Sequence, residues 1–414
     1  MKRVCIQWPR FGPYHMVRLE AAHHYFQQHQ TELIGLETAS RDATYAWRTE
    51  PDRAQFRREQ IFPNRSLEQL TPAEIYAGVT TTLDRLAPDA VAINSYSYPD
   101  ALACLDWCRR HRRVAVVMTD SKEDDAPRIA WRERVKALLI SQFDAALLAG
   151  TPHRAYFEKL GFPNDAVFLG YDVVDNAFFR ERAADAREHP ERYRHLPGLA
   201  SDLPFFLTSS RFVPRKNLDG LLAAYHAYRA GTAHPWRLVI LGDGPERARL
   251  DALLHTERIE NVTLAGFRQL EELPAYYGLA GAFVHPARID QWGLVVNEAM
   301  AAGLPVLVSE RAGCAHDLVL EGENGYRFPP ENTDRLARLM QQMTSAQTDR
   351  AAMGRRSQAI IAGWSPEHFA EKLAQAFQEG RKRAGRPFRP APRLVLWTLR
   401  KTARSVQSFH AIRE

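Results

Sequence analysis

Short, continuously apolar runs alternate through the first half of the chain with longer segments whose apolar residues recur every three or four positions. The runs VCIQW (4–8), TELIGLE (31–37), AVAIN (90–94), VAVVMT (114–119) and DAALLAG (144–150) read as strands. Helical periodicity falls between them at about 13–29, 72–86, 98–111, 127–142 and 152–160. The arginine-rich stretch 38–64 is longer than ordinary connections and reads as a loop. This alternation predicts an α/β fold with a parallel sheet covered by helices on both faces.

The pattern lapses at about 180–203 into RERAADAREHPERYRHLPGLASDLP, a charged stretch interrupted by prolines. It then resumes. Strands are expected at 205–210, 236–242, 261–267, 281–286, 305–310 and 325–328, with helices at about 216–229, 245–257, 270–279, 293–302 and 332–345. Two further helices, 348–362 and 365–382, precede the end. The expected organisation is a Rossmann-like domain over 1–180, a linker over 181–203, and a second Rossmann-like domain over 204–363. A helix and basic tail over 364–414 complete it. Two doubly wound domains facing a central cleft is the simplest architecture, with ligands outside the carboxyl ends of the strands.

Composition narrows the function. With 414 residues, 45% hydrophobic and 25% charged, the chain reads as a soluble globular protein. The net charge of +6 is unevenly placed. Residues 381–414 hold ten Lys/Arg and one acidic residue, a balance of +9, which leaves −3 for everything before them. A body so nearly neutral argues against a nucleic-acid-binding face. No apolar run reaches the ~18–20 residues of a membrane span, and the opening MKRVCIQWPR reads as a first strand rather than a signal peptide. The four cysteines show no zinc spacing and read as reduced thiols of a cytoplasmic protein.

Several strand ends carry residues suited to an anionic ligand. In SSRFVPRKN, Arg211 offers a planar fork of donors and Lys216 a point charge, a pair suited to a diphosphate; a solvated turn would also account for them. Gly242 and Gly244 in LGDGPER leave a strand and open a helix, but the turn itself needs them. In ARIDQWGLVVNEAM, Gly293 permits close backbone approach, and the N–H groups of Gly293, Leu294 and Val295 are first-turn donors. Glu298 lies about a turn and a half deeper in an otherwise apolar helix. It suits the two hydroxyls of a ribose, or an arginine partner. Asp290, outside the helix, suits a sugar hydroxyl or a helix cap. In the first half, Gly12 opens a helix carrying His15, a general acid, an acceptor contact or a surface histidine. Asp120 ends a strand before the acidic loop SKEDDAPR, which reads as a loop or a metal site.

Taken in order, SSRFVPRKN, LVILGDGPER, VTLAGFRQLEELPAYYGLAGAFVHPA, DQWGLVVNEAMAAGLPVLVS and EGENGYRF resemble the family-four retaining glycosyltransferases of the GT-B fold, over about residues 203–345. The resemblance implies metal-independent transfer of a hexosyl group, with retention and without a cofactor. The donor would be a nucleotide diphosphate sugar, with a UDP-sugar favoured. The acceptor would be a glycan or lipid-linked glycan of an envelope polysaccharide pathway. Arg211, Lys216 and the Gly293–Val295 amides would hold the diphosphate, Glu298 the ribose, Asp290 the donor sugar, and Phe267 and Arg268 the base. Gly12 and Gly242 would border the donor, and His15 or Asp120 would contribute from the first domain.

Three departures stand out. Asp290 replaces the first glutamate of the family's Glu-x7-Glu pair, about 1.5 Å shorter in reach. Asp120-Ser121 stands where the family often has histidine. Gly170-Tyr171 replaces an Asn-Gly pair in GYDVVDNAFF. A nucleotide-sugar epimerase of the same fold and a non-catalytic nucleotide-sugar-binding scaffold are the alternatives. The tail, with Leu394, Leu396 and Trp397 among Arg393, Arg400, Lys401 and Arg404, suggests peripheral contact with an anionic membrane surface at its inner face.

Overall fold

The computed structural model describes residues 1–41 and 55–385. Two compact units emerge, Met1–Val173 with Pro366–Glu414, and Val174–Ser365.

The first unit runs β1 (Arg3–Trp8), α1 (Pro13–Gln28), β2 (Glu32–Arg41), β3 (Arg57–Ser66), α2 (Pro72–Leu86), β4 (Ala90–Asn94), α3 (Pro99–His111), β5 (Val114–Thr119), α4 (Ala130–Ile140), β6 (Ala145–Leu148), α5 (Thr151–Lys159) and β7 (Val167–Leu169). Its seven strands are all parallel in the order β3-β2-β1-β4-β5-β6-β7. The central strands are unbroken apolar runs because helices cover both faces of the sheet. Proline at the first helical turn starts α1, α2 and α3, and Thr71 and Glu74 exchange hydrogen bonds as a capping box on α2.

The second unit runs α6 (Asn176–Glu188), β8 (Phe205–Ser209), α7 (Leu218–Ala230), β9 (Arg237–Leu241), α8 (Arg247–Thr256), β10 (Val262–Gly266), α9 (Leu273–Leu279), β11 (Ala282–His285), α10 (Leu294–Ala301), β12 (Val306–Ser309), α11 (Ala315–Leu318), β13 (Gly325–Phe328), α12 (Thr333–Thr344) and α13 (Arg350–Ile361). Six parallel strands take the order β10-β9-β8-β11-β12-β13. Strand order therefore reverses between β8 and β11, as it does between β1 and β4 in the first unit. These switch points open a crevice at the strands' carboxyl ends.

Four sequence expectations change. The stretch 38–64 is not one loop, since its described parts are the end of β2 and all of β3. β3 is an edge strand, so polar side chains and Pro63 are tolerated and the apolar signal is absent. Its Arg58 and Gln60 satisfy the buried Glu37 of β2, at 2.6 and 2.7 Å. The three-residue edge strand β7 was not expected either.

The segment 181–203 begins inside α6, whose Phe179, Ala183 and Ala186 are buried while its charges face outward. Ala183 packs so closely on α9 that a Cβ on Gly278 would meet its carbonyl at 2.6 Å. Arg237 then ties Gly198 and Ser201 to the second sheet at 2.8 and 3.0 Å. The charged stretch thus belongs to the second unit.

Finally, α14 (Pro366–Arg383) returns to the first unit. Phe369 stacks on Trp8 with ring centroids 6.4 Å apart, and Phe377 meets Phe26 at 5.9 Å. A Cβ on Gly380 would strike Val114 at 2.7 Å. The basic tail beyond residue 385 lies outside the described residues.

Candidate functional site

The loops after β8 and β11, on either side of the second unit's switch point, are stitched together. The backbone N–H groups of Arg288 and Ile289 donate to the Arg215 carbonyl at 2.8 and 3.3 Å. Asn217, buried at the head of α7, donates to the carbonyls of Pro286 and Pro330 at 3.0 and 2.9 Å. Lys216 Nζ then reaches Asp290 Oδ2 at 2.6 Å. The same oxygen lies 2.8 Å from Nε2 of His285, a fully buried residue at the end of β11. An ionised carboxylate only accepts, so Nε2 carries the proton.

Burial by itself pushes the Asp290 carboxyl up. The Lys216 charge and the hydrogen bonds from His285 and Lys216 outweigh burial and hold it well below the usual carboxylate range. Among the described residues its second oxygen, Oδ1, makes no hydrogen bond, and the side chain is 15% exposed. Asp290 is thus a fixed carboxylate with one oxygen locked and one open. Asp290 does not cap α10, a role taken by Gly293. His285 was not foreseen; its signal was a lone histidine closing an apolar strand five residues before a carboxylate.

Gly293 has φ 104° and ψ 60°, in the left-handed region that favours glycine. A Cβ there would stand 3.3 Å from His285 Nε2 and 3.6 Å from Asp290 Oδ2. Leu294 and Val295 follow as the first turn of α10, where the N–H groups have no intrahelical acceptor. Gly293→Ala is expected to destabilise the fold by about 1–3 kcal/mol through backbone strain, and to lower turnover by moving His285 against Asp290. Thermal unfolding and initial rates check it; a variant as stable and active as wild type would contradict the packing.

Glu298 is 1% exposed and accepts from the Tyr277 hydroxyl of α9 at 2.7 Å. Tyr277 is thus one structural partner of this carboxylate. Asn297 beside it accepts from the Trp292 indole at 2.9 Å. Arg211 is half-buried on the loop after β8.

Gly242 mainly shapes this loop. At φ 121° its N–H donates to the Gly266 carbonyl at 2.9 Å, and a Cβ would overlap the Ser210 carbonyl at 1.8 Å. Phe267 is exposed at the end of β10, whereas Arg268 is occupied by Glu272 at 3.2 Å and by the Ala265 carbonyl.

In the first unit, the Gly12 N–H donates to His15 Nδ1 at 2.9 Å, closing the head of α1. Burial, then the charges of Arg18 and Arg10, push the His15 imidazole down to about 3. With Nδ1 accepting, the neutral ring presents Nε2–H as a donor, which suits an acceptor contact and not an imidazolium acid. The unfolded ring has its ordinary value near 6.5, so the unfolded chain binds more protons between pH ~6.5 and ~3, and stability falls as pH drops through that window. The loss at pH 5 relative to pH 8 is about 2 kcal/mol. His15→Gln retains an acceptor for the Gly12 N–H and should flatten the difference in urea midpoints between the two pH values; an unchanged difference would contradict it.

Asp120 is half-buried after β5. The acidic loop beyond it is internally paired, Lys122 with Asp124 and Asp125, and Lys159 with Glu123. Among the described residues no group of His, Cys, Asp or Glu is placed to hold a metal ion. At Gly170-Tyr171, Gly170 has φ 113° against His368. The Tyr171 hydroxyl donates to Asn94 at 3.0 Å and accepts from the Trp8 indole at 2.9 Å, joining β1 and β4 near their carboxyl ends.

Residues 191–360 match the family described as glycosyl transferases group 1. The matched segment lies within the second unit. The chain is 32% identical over 213 residues to a GDP-mannose-dependent alpha-(1-6)-phosphatidylinositol monomannoside mannosyltransferase of Mycobacterium tuberculosis, covering 49% of this chain and 53% of the relative. It is 27% identical over 280 residues to the alpha-D-kanosaminyltransferase of Streptomyces kanamyceticus, covering 66% and 63%. The chain thus spans about half to two thirds of the length of these relatives.

Among solved structures, sucrose-phosphate synthase from Thermosynechococcus elongatus superposes with a TM-score of 0.71 at 19% identity, covering 92% of this chain and all of that one. Anabaena HepE in complex with UDP gives 0.70 at 19%, covering 91% and 100%. The fold class is GT-B, α/β with two Rossmann-like units; the strand–helix alternation pointed to the two parallel-sheet units and the resemblance to GT-B.

Proposed function

We propose that the chain is a retaining glycosyltransferase that moves a hexosyl group from a nucleoside diphosphate sugar to a glycan or lipid-linked acceptor, without a metal. The observation that carries this reading is the Lys216–Asp290–His285 cluster at the switch point of the second sheet. Departure of a nucleoside diphosphate builds negative charge on phosphate oxygens. Lys216 and Arg211 oppose that charge, and the amides of Gly293, Leu294 and Val295 add oriented donors. Asp290 Oδ1 accepts from a hydroxyl of the donor sugar. Glu298, steadied by Tyr277, accepts from the ribose hydroxyls, and the exposed ring of Phe267 stacks on the base. His15 meets the acceptor as a neutral donor; Asp120 follows β5, two strands along the sheet from β1.

Relatives named as GDP-mannose-dependent support a GDP-sugar ahead of the UDP-sugar expected from sequence. Thermal shift and hydrolysis across GDP-, UDP-, ADP- and dTDP-sugars test the proposal. A GDP-sugar should bind and turn over slowly without acceptor. If no nucleotide sugar binds, the reading fails, and interconversion of the free sugar nucleotide would mark an epimerase instead. Among the described residues no helix is long and apolar enough to cross a membrane. We also propose that the basic tail touches an anionic membrane surface; unchanged vesicle binding after deletion of residues 384–414 would refute that.

A further inference from the structure

Five large apolar side chains are exposed among the described residues, and three belong to one short segment: Ile129 at 40%, Trp131 at 63% and Leu138 at 37%. They lie on α4 and its N-cap, and α4 is poorly anchored for a helix of eleven residues. Only Leu139 and Ile140, at its end, are buried, and no side chain caps its start. Val135 and Ala137 are half-buried, and polar tethers add to them. Glu133 accepts from the Tyr156 hydroxyl at 2.6 Å and from Lys136 at 2.8 Å, and Arg128 covers the Tyr156 ring at 4.6 Å. A helix this short gains little from propensity and draws its stability from a covered apolar face, which Trp131 and Leu138 do not have here.

The charge around the apolar residues identifies the cover. Arg128, Arg132, Arg134 and Lys136 stand against the single carboxylate Glu133. Arg132 and Arg134 are exposed and in no ion pair among the described residues, and Arg132 lies 5.5 Å from the centroid of the Trp131 ring. The acidic residues just upstream are occupied, Glu123 by Lys159 and Asp124 by Lys122. The patch is therefore apolar with a cationic rim. The chain's own tail is an unsuitable cover because it is itself strongly basic. A second copy would set arginine against arginine. An exposed tryptophan beside arginines matches the interface of a bilayer, where the indole lies at headgroup depth and the guanidinium groups meet lipid phosphates.

We infer that the α4 face, with Trp131 and Leu138 inserted and Arg132 and Arg134 on the headgroups, docks this unit on an anionic phospholipid surface. The inference does not depend on the donor chemistry or on the tail. Binding is read by sedimentation of the full chain with vesicles of equal parts phosphatidylglycerol and phosphatidylcholine, and with vesicles of phosphatidylcholine alone. The anionic vesicles should bind and the neutral ones should not. Arg132→Gln with Arg134→Gln should weaken binding about thirtyfold at physiological salt, from about fivefold per cation. Trp131→Ala should weaken it as well, and both variants should keep the wild-type circular dichroism and melting temperature, since the altered residues are exposed. Equal binding by the double variant and wild type would overturn the inference. So would equal binding to both vesicles, or a self-association that Trp131→Ala abolishes.

Discussion

Replacing Lys216 by alanine is expected to lower kcat/KM for glycosyl transfer about a hundred- to a thousandfold, the usual cost of deleting one preorganised group that faces developing charge. The change does two things at once. It removes a cation proposed to face the leaving group, and it leaves Asp290, 15% exposed, with His285 as its one remaining side-chain partner among the described residues. The second effect is a stability cost, about 1–3 kcal/mol for a partly desolvated carboxylate that loses a charged donor. The two are separable. Adding Asp290→Asn to Lys216→Ala removes the stranded charge and should restore much of the melting temperature while leaving transfer impaired. If the single variant melts lower yet transfers at the wild-type rate, Lys216 is a structural partner of Asp290 and the diphosphate assignment fails.

Glu298→Ala is the second large effect. A carboxylate holding two ribose hydroxyls makes charged hydrogen bonds worth ~1.5–3 kcal/mol each, so donor affinity should fall about a hundredfold or more. Tyr277→Phe separates this from a packing role. It deletes the 2.7 Å hydrogen bond and keeps the ring, and should cost about 1 kcal/mol of stability with little change in donor affinity. Calorimetric titration with GDP and UDP, alongside urea unfolding, reads both quantities. Were both variants to lose stability alike and bind nucleotide as wild type does, Glu298 would be a core hydrogen-bonding group and nothing more.

How far the site was legible follows from how local each part is. Arg211, Lys216, Asp290 and Gly293 sit at strand ends or helix heads, and both kinds of boundary show in the periodicity of neighbouring residues. Their partners do not. His285 and Tyr277 lie 5 and 21 residues from the carboxylates they bind, and nothing in a histidine or a tyrosine within an apolar run declares its partner. For a related reason the sequence left His15 open as a general acid, an acceptor contact or a surface histidine. Only the Gly12 N–H on Nδ1 and the surrounding burial favour a neutral donor among these.

The same division holds for the fold. Central strands such as Val114–Thr119 are buried on both faces, so their composition alone announces them. β3 is an edge strand that satisfies Glu37 with Arg58 and Gln60, so its polar residues conceal it. α6 conceals itself likewise, because only Phe179, Ala183 and Ala186 turn inward from a charged helix.

By itself, the sequence determined the α/β alternation and the two parallel sheets, because both are written in short-range periodicity, and it put the motifs proposed to face phosphate at their strand ends. The tertiary structure decided that residues 176–203 belong to the second unit and that α14 closes the first. It also decided that Asp290 is pinned through one oxygen between Lys216 and His285. Those outcomes depend on which distant surfaces are complementary in shape and charge, and that information is spread over residues that meet only once the chain has folded.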